Sequence, residues 1–209
     1  MRASAPIPGN PWPHDMMITV EDSPHALNEL LWVREAWALH SEADDLPPRL
    51  TDTPAPAPAV DPAVRARWSA AWPDLWRACV IHAAKVSDPG LIGSLVHQDS
   101  AARAAVLAEL RGPSWRDEFG DDAFTSSYNH WNRRQFVRVT TRHPEHPGES
   151  PERKSLDALI SAWRAGMTKL VLLPCRGTFT RVIGPSALLL TVETRDDPVR
   201  YAAAIGIFA

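Results

Sequence analysis

The 209 residues, 44% hydrophobic and 22% charged, have ordinary globular usage, which excludes wholesale disorder and allows one sizeable core or, less economically, two small ones. A formal net charge of −3 supplies no general attraction to nucleic acid or an anionic membrane, and no apolar run approaches the ~20 residues of a membrane-spanning helix. The N-terminus has no apolar stretch behind Arg2, and Cys79 and Cys175 are too far apart for a disulfide framework or a CxxC site, so the expectation is a cytoplasmic protein without a secretory leader. Basic residues are nearly all arginine, with lysine only at 85, 154 and 169. Together with 20 prolines, this fits a GC-rich bacterial coding bias.

Residues 1–15 carry Pro6, Pro8, Pro11 and Pro13 and predict a flexible arm ahead of a single globular domain over 16–209. Met16 and Met17 are alternative starts, and Met16 to Val20 has strand character. Ser23-Pro24 opens a helix that fades near His40, with Leu27, Leu30, Leu31 and Trp37 inward and Asn28, Glu29 and Glu35 on the other side. Residues 44–62 are dense in proline and predict a solvated, polyproline-like connector. Asp61-Pro62 starts a second helix running to Lys85, with a kink expected at Pro73. A turn at Asp88-Pro89-Gly90 follows, and then a helix from Ala101 to Arg111, capped by Asp99-Ser100 and stopped by Gly112-Pro113.

Phe124, Tyr128 and Trp131 recur at helical spacing, whereas Gln135 to Thr141 (QFVRVTT) is β-branched enough to predict a strand. A loop from His143 to Pro151 precedes an amphipathic helix from Ser155 to Arg164. Strands are predicted at Lys169 to Leu173, Thr178 to Ile183 and Ala187 to Glu193, followed by a last helix that Asp196-Asp197-Pro198 starts. The expected fold class is therefore α+β and helix-rich: a helical N-terminal half, then a small, mostly antiparallel sheet with flanking helices.

Five groups of residues bear on chemistry. Cys175-Arg-Gly-Thr-Phe-Thr-Arg181 places an arginine after five residues that follow a cysteine, a spacing that resembles the phosphate loop of protein tyrosine phosphatases. That resemblance implies Cys175 as a thiolate nucleophile and Arg181 as a phosphoryl ligand. The Val182-Ile183-Gly184-Pro185 that follows reads as strand and turn rather than the helix whose dipole would lower a thiol pKa. His143 and His146 have a separation suited to clasping a metal, yet nothing nearby completes a ligand set, so no metal or cofactor is predicted. Asp117, Glu118, Asp121 and Asp122 read as helix-capping carboxylates. Arg133, Arg134, Arg138 and Arg142, beside Tyr128 and Trp131, form a basic-aromatic patch that predicts a salt-bridged surface, and the net charge disfavours a nucleic-acid partner.

Nine tryptophans are the fifth feature. Trp68, Trp72 and Trp76 stack at every fourth residue, with Trp72 and Trp76 expected in the core and Trp68 at the surface. Two functions follow. One is a non-enzymatic binding or regulatory protein that meets a protein partner through a Trp/Arg-rich surface including Trp68, Arg134 and Arg138. The other is a small Cys-dependent enzyme that acts on an anionic, phosphate-like substrate through Cys175 and Arg181. Oligomeric state is not indicated.

Overall fold

A computed structural model describes residues 11–40, 45–85, 99–142 and 149–208. Among them four strands form one sheet: β1 Thr19–Glu21, β2 Lys169–Leu173, β3 Thr180–Ile183 and β4 Ala187–Thr191, in the order β1-β2-β4-β3. The α+β, helix-rich expectation holds, but the sheet is mixed. β1 pairs parallel with β2 and β2 parallel with β4, leaving only β3 antiparallel to β4. The reason lies in burial. β2 and β4 are buried at every residue, so both faces of the sheet must be covered, the setting that parallel strands require.

Each face carries its own core. On one side Val171, Leu173, Ala187 and Leu189 pack under α1 His25–Ala36 and α2 Pro62–Ala83. On the other, Leu170, Leu172, Leu188 and Leu190 meet α7 Leu156–Arg164 and α9 Pro198–Gly206. The remaining helices are α3 Ser100–Arg111, α4 Trp115–Phe119, α5 Ser126–Thr141, α6 Pro151–Lys154 and α8 Val192–Asp196. Their starts follow local chemistry: Asp61, Asp99 and Asp197 each accept a hydrogen bond from a backbone N–H of the first turn.

Several local expectations are corrected as well. Gln135 to Thr141 is the end of α5, not a strand. Tyr128, Trp131 and Gln135 bury one helical stripe, and Thr140 and Thr141 donate back to the carbonyls of Phe136 and Val137, so β-branched propensity yields to packing. The strand expected to reach Glu193 stops at Thr191, whose hydroxyl accepts from Thr194 N–H and turns the chain into α8. α1 is not one-sided: Asn28, Glu29, Arg34 and Glu35 are buried along with its apolar residues.

The proline-rich connector is also no solvated spacer. Arg34 donates to the carbonyls of Pro47 and Pro48 at 2.7 Å each, Leu50 N–H donates to the Glu35 carboxylate, and Leu50 bridges antiparallel to Cys175. Of the predicted arm, Trp12 is buried and its indole donates to Met16 O, while residues 1–10 lie outside the described residues, as does the turn at 88–90.

Tryptophan organises the helical side. Eight of the nine are buried. Trp72 stacks on Trp76 with centroids 5.4 Å apart, and Trp37, Trp68 and Trp115 meet edge to face. Trp72, Trp37 and Trp131 donate to the carbonyls of Leu30, Ala123 and Asp52, so these rings also tie remote segments together. Trp68, expected at the surface, is 4% exposed because Trp37 and Trp115 close over it. α2 runs unbroken through Pro73 over its 22 residues, Pro62–Ala83, instead of dividing there into two helices.

Candidate functional site

A cleft of about 820 Å³ lies at the β1 edge of the sheet, between the first turn of α1, the last turns of α2 and α3, and the start of α4. Its position follows from local sequence. Pro24 occupies the N-cap of α1, offers no side-chain acceptor, and is followed by a first turn without an acidic residue. Among the described residues no side chain answers the free N–H groups of that turn or the positive end of the helix dipole. On the far wall, Gly112 ends α3 with φ at +68°, and a side chain there would collide with the ring of His82, whose Nε2 lies 3.1 Å from Leu110 O.

Two ion pairs fix the walls. Glu29, 1% exposed, takes Arg116 at 2.8 Å and the Tyr128 hydroxyl at 3.2 Å, while Arg116 also holds Asp121 and lies 3.9 Å from the centre of the Phe124 ring. Burial, and then the nearby Glu29 charge, raise the Tyr128 hydroxyl well above its ordinary pKa, so it remains a donor to that carboxylate. Across the cleft, Lys169 is buried at the start of β2, pairs with Glu21 at 2.8 Å and donates to the Lys85 carbonyl at 3.1 Å. Lys85 itself is exposed at the rim with no acidic partner among the described residues. Cys79 also lines the cleft. Its thiol donates to Pro113 O, and burial pushes its pKa up to about 12, so it is no nucleophile at neutral pH.

Of the residues singled out from sequence, Cys175 is fully buried against Leu50, and burial likewise pushes its thiol up to about 12. Arg181 turns away to Asp45, reaching the backbone carbonyl at 3.1 Å and the carboxylate at 3.3 Å. Arg176 holds Leu50 O and Thr53. Cys175 and the two arginines thus fasten the connector and do not converge on an anion cup.

Arg134 and Arg138 are both half-exposed and both paired with Asp52, at 2.9 and 3.4 Å. Trp68 lies in the core and offers no surface to a partner. Asp117 accepts from Ser114, the cap of α4, and Asp121 pairs with Arg116. His143 and His146 lie outside the described residues, and among the described ones no group of three or more His, Cys, Asp or Glu is placed to hold a metal. No described helix is long and apolar enough to cross a membrane. Glu29, Arg116 and Lys169 are the functional candidates that sequence reasoning missed. A second, smaller crevice lies at the other end of the strands. Comparison with known proteins finds no matching family model, no matching curated protein and no matching solved structure.

Proposed function

We propose that the protein is a binding protein, without chemistry of its own, that holds a small organic acid in the cleft between α1, α2 and α3. The observation that carries this reading is the cleft itself: about 820 Å³, mostly apolar in lining, with buried charges locked in its walls by Arg116–Glu29 and Lys169–Glu21. Pockets of this size with a few fixed polar groups are the usual form of small-molecule sites. An acidic group is favoured because Glu29 and Glu21 are already engaged, whereas Lys85 and the open first turn of α1 have no acidic partner among the described residues; the remaining carboxylate of the lining, Glu109, is exposed to solvent.

Chemistry is not favoured, since the thiol in the cleft is held protonated and burial of Cys175 outweighs the pull of the nearby Arg34 charge. The tryptophans support this reading indirectly: they build the scaffold behind the cleft rather than a sticky exterior. The test uses 1-anilinonaphthalene-8-sulfonate, an apolar body with one sulfonate, titrated into the folded protein at neutral pH. Saturable fluorescence enhancement is expected, lost in Ala26→Trp, which narrows the cleft, and weakened several-fold in Lys85→Glu. Native near-UV circular dichroism throughout excludes dye binding to a loosened core. Absence of binding, or binding indifferent to both substitutions, refutes the proposal.

A further inference from the structure

A second crevice, of about 160 Å³, opens where the three parallel strands end: Asp22 follows β1, Pro174 follows β2, and Glu193 and Asp196 lie on the short helix after β4. Crevices outside the carboxyl ends of parallel strands are where open α/β sheets commonly place ligands. This one is closed by α5, which contributes Arg138 and Arg142. The basic groups come from one element and the acidic groups from two others. Arg142 and Asp196 form a loose ion pair at 3.8 Å, too far for a hydrogen bond, while Arg138 also reaches Asp52 at 3.4 Å and Glu193 accepts from Gly177 N–H at 2.6 Å, so each of these groups keeps part of its bonding capacity for a ligand.

One buried polar group is left open there. Asn28 lines the crevice at 6% exposure, and its side-chain Oδ1 has no hydrogen-bond partner. Elsewhere on α1 Glu29 is engaged by Arg116, and Arg34 and one Glu35 oxygen by the connector; Glu35 Oε2 and the Trp32 indole are also without partners, but neither residue lines this crevice. A buried amide without a partner is uncommon enough to require a cause, and a ligand that completes it is one.

We infer that this crevice binds a small zwitterion of the α-amino acid type, with its carboxylate toward Arg138 and Arg142, its ammonium toward Asp22, Glu193 and Asp196, and the Asn28 amide completing the set. Size supports this: the volume corresponds to about five waters at ~30 Å³ each, room for a molecule of roughly five to seven non-hydrogen atoms. Charge supports it as well. A simple anion meets three carboxylates against two guanidinium groups, and a simple cation leaves both guanidinium groups facing it. A metal ion is disfavoured because the acidic side chains do not gather round one point.

Isothermal titration of the intact protein with L-alanine, with acetate and methylammonium as single-charge controls, tests the inference. Saturable heat is expected with L-alanine alone. It should fall at least tenfold in apparent affinity in Arg142→Gln, a surface change, and in Asn28→Leu, and it should be unchanged in Ala26→Trp, which fills only the other cleft. Acetate or methylammonium binding as well as L-alanine, no saturable L-alanine heat, or full binding by Arg142→Gln would each overturn it. Because the two sites share no lining residue, failure here leaves the dye experiment on the larger cleft to stand or fall separately.

Discussion

Replacing Glu29 by alanine removes a carboxylate that is 1% exposed and that takes Arg116 at 2.8 Å and Tyr128 at 3.2 Å. Breaking a fully buried pair from one side costs about 3–5 kcal/mol, because the surviving charge is stranded. Arg116, however, is 37% exposed and keeps Asp121 and the Phe124 face, so water and those partners take up part of the loss. The expected cost is therefore smaller, about 2–3 kcal/mol, most of it from the lost charge-assisted bonds and the unpaired tyrosine hydroxyl. Tyr128→Phe, which leaves the ion pair alone, should cost about 1.5 kcal/mol. Urea unfolding followed by tryptophan fluorescence measures both, read as midpoint shifts at constant slope. A double-mutant cycle of Glu29→Gln and Arg116→Met should give a coupling of about 1 kcal/mol or more. If Glu29→Ala changes stability by less than about 0.5 kcal/mol, as an ordinary surface substitution does, then Glu29 is not a buried anchor and the cleft wall is misassigned.

Trp76→Ala should cost about 3–5 kcal/mol in the same assay, and a fully stable variant would contradict the stacked core of Trp72 and Trp76. Asp52 holds Arg134, Arg138 and Gln135 from a side chain 17% exposed, so Asp52→Ala is expected to lower stability by about 1–2 kcal/mol; no loss would mean that the connector is not fastened to α5. Both buried thiols should make the fold alkali-sensitive. Cysteine in the unfolded chain ionises near ~8.5, while Cys79 and Cys175 hold their protons up to about 12. The unfolded state then binds fewer protons across that range, so stability is present below it and falls as pH rises through it. Removing both thiols as alanines should flatten the decline of the urea midpoint between pH 8 and 11, and an unchanged slope would count against the assignment. Because both cores share one sheet, calorimetry should record a single cooperative transition; two resolved transitions would divide the chain into separate units.

What could be read from sequence was local. Asp61, Asp99 and Asp197 cap helices because each carboxylate sits within three residues of the N–H that donates to it, and the run after Lys169, Leu170 to Leu173, is apolar because both its faces are covered. What could not be read was set by remote partners. Thr19 pairs with Lys169 across most of the chain, and no local pattern distinguishes parallel from antiparallel pairing for a strand of three residues. The connector misled for the same reason. Its composition describes a polyproline segment, but Arg34 and Glu35, on α1, decide that Pro47, Pro48 and Leu50 are held against the body. In QFVRVTT the β-branched residues point one way and the spacing of Tyr128, Trp131 and Gln135 another; burial of that stripe wins because it removes two aromatic side chains from water.

The site was hidden by one assumption, that α1 has a wet side. Its sequence argued against this: Leu27, Leu30, Leu31, Trp32, Val33 and Ala36 cover too much of the circumference for a helix with one buried stripe. Once such a helix is covered on all sides, each polar residue on it must find a partner elsewhere in the chain, and those partners mark where function is built. Glu29 reaches Arg116, 87 residues away, and creates the wall of the cleft. Arg34 and Glu35 reach the connector and fasten it. Asn28 obeys the same necessity without an answer from the chain's own side chains, which is why the crevice beside it is where a ligand is expected to supply one.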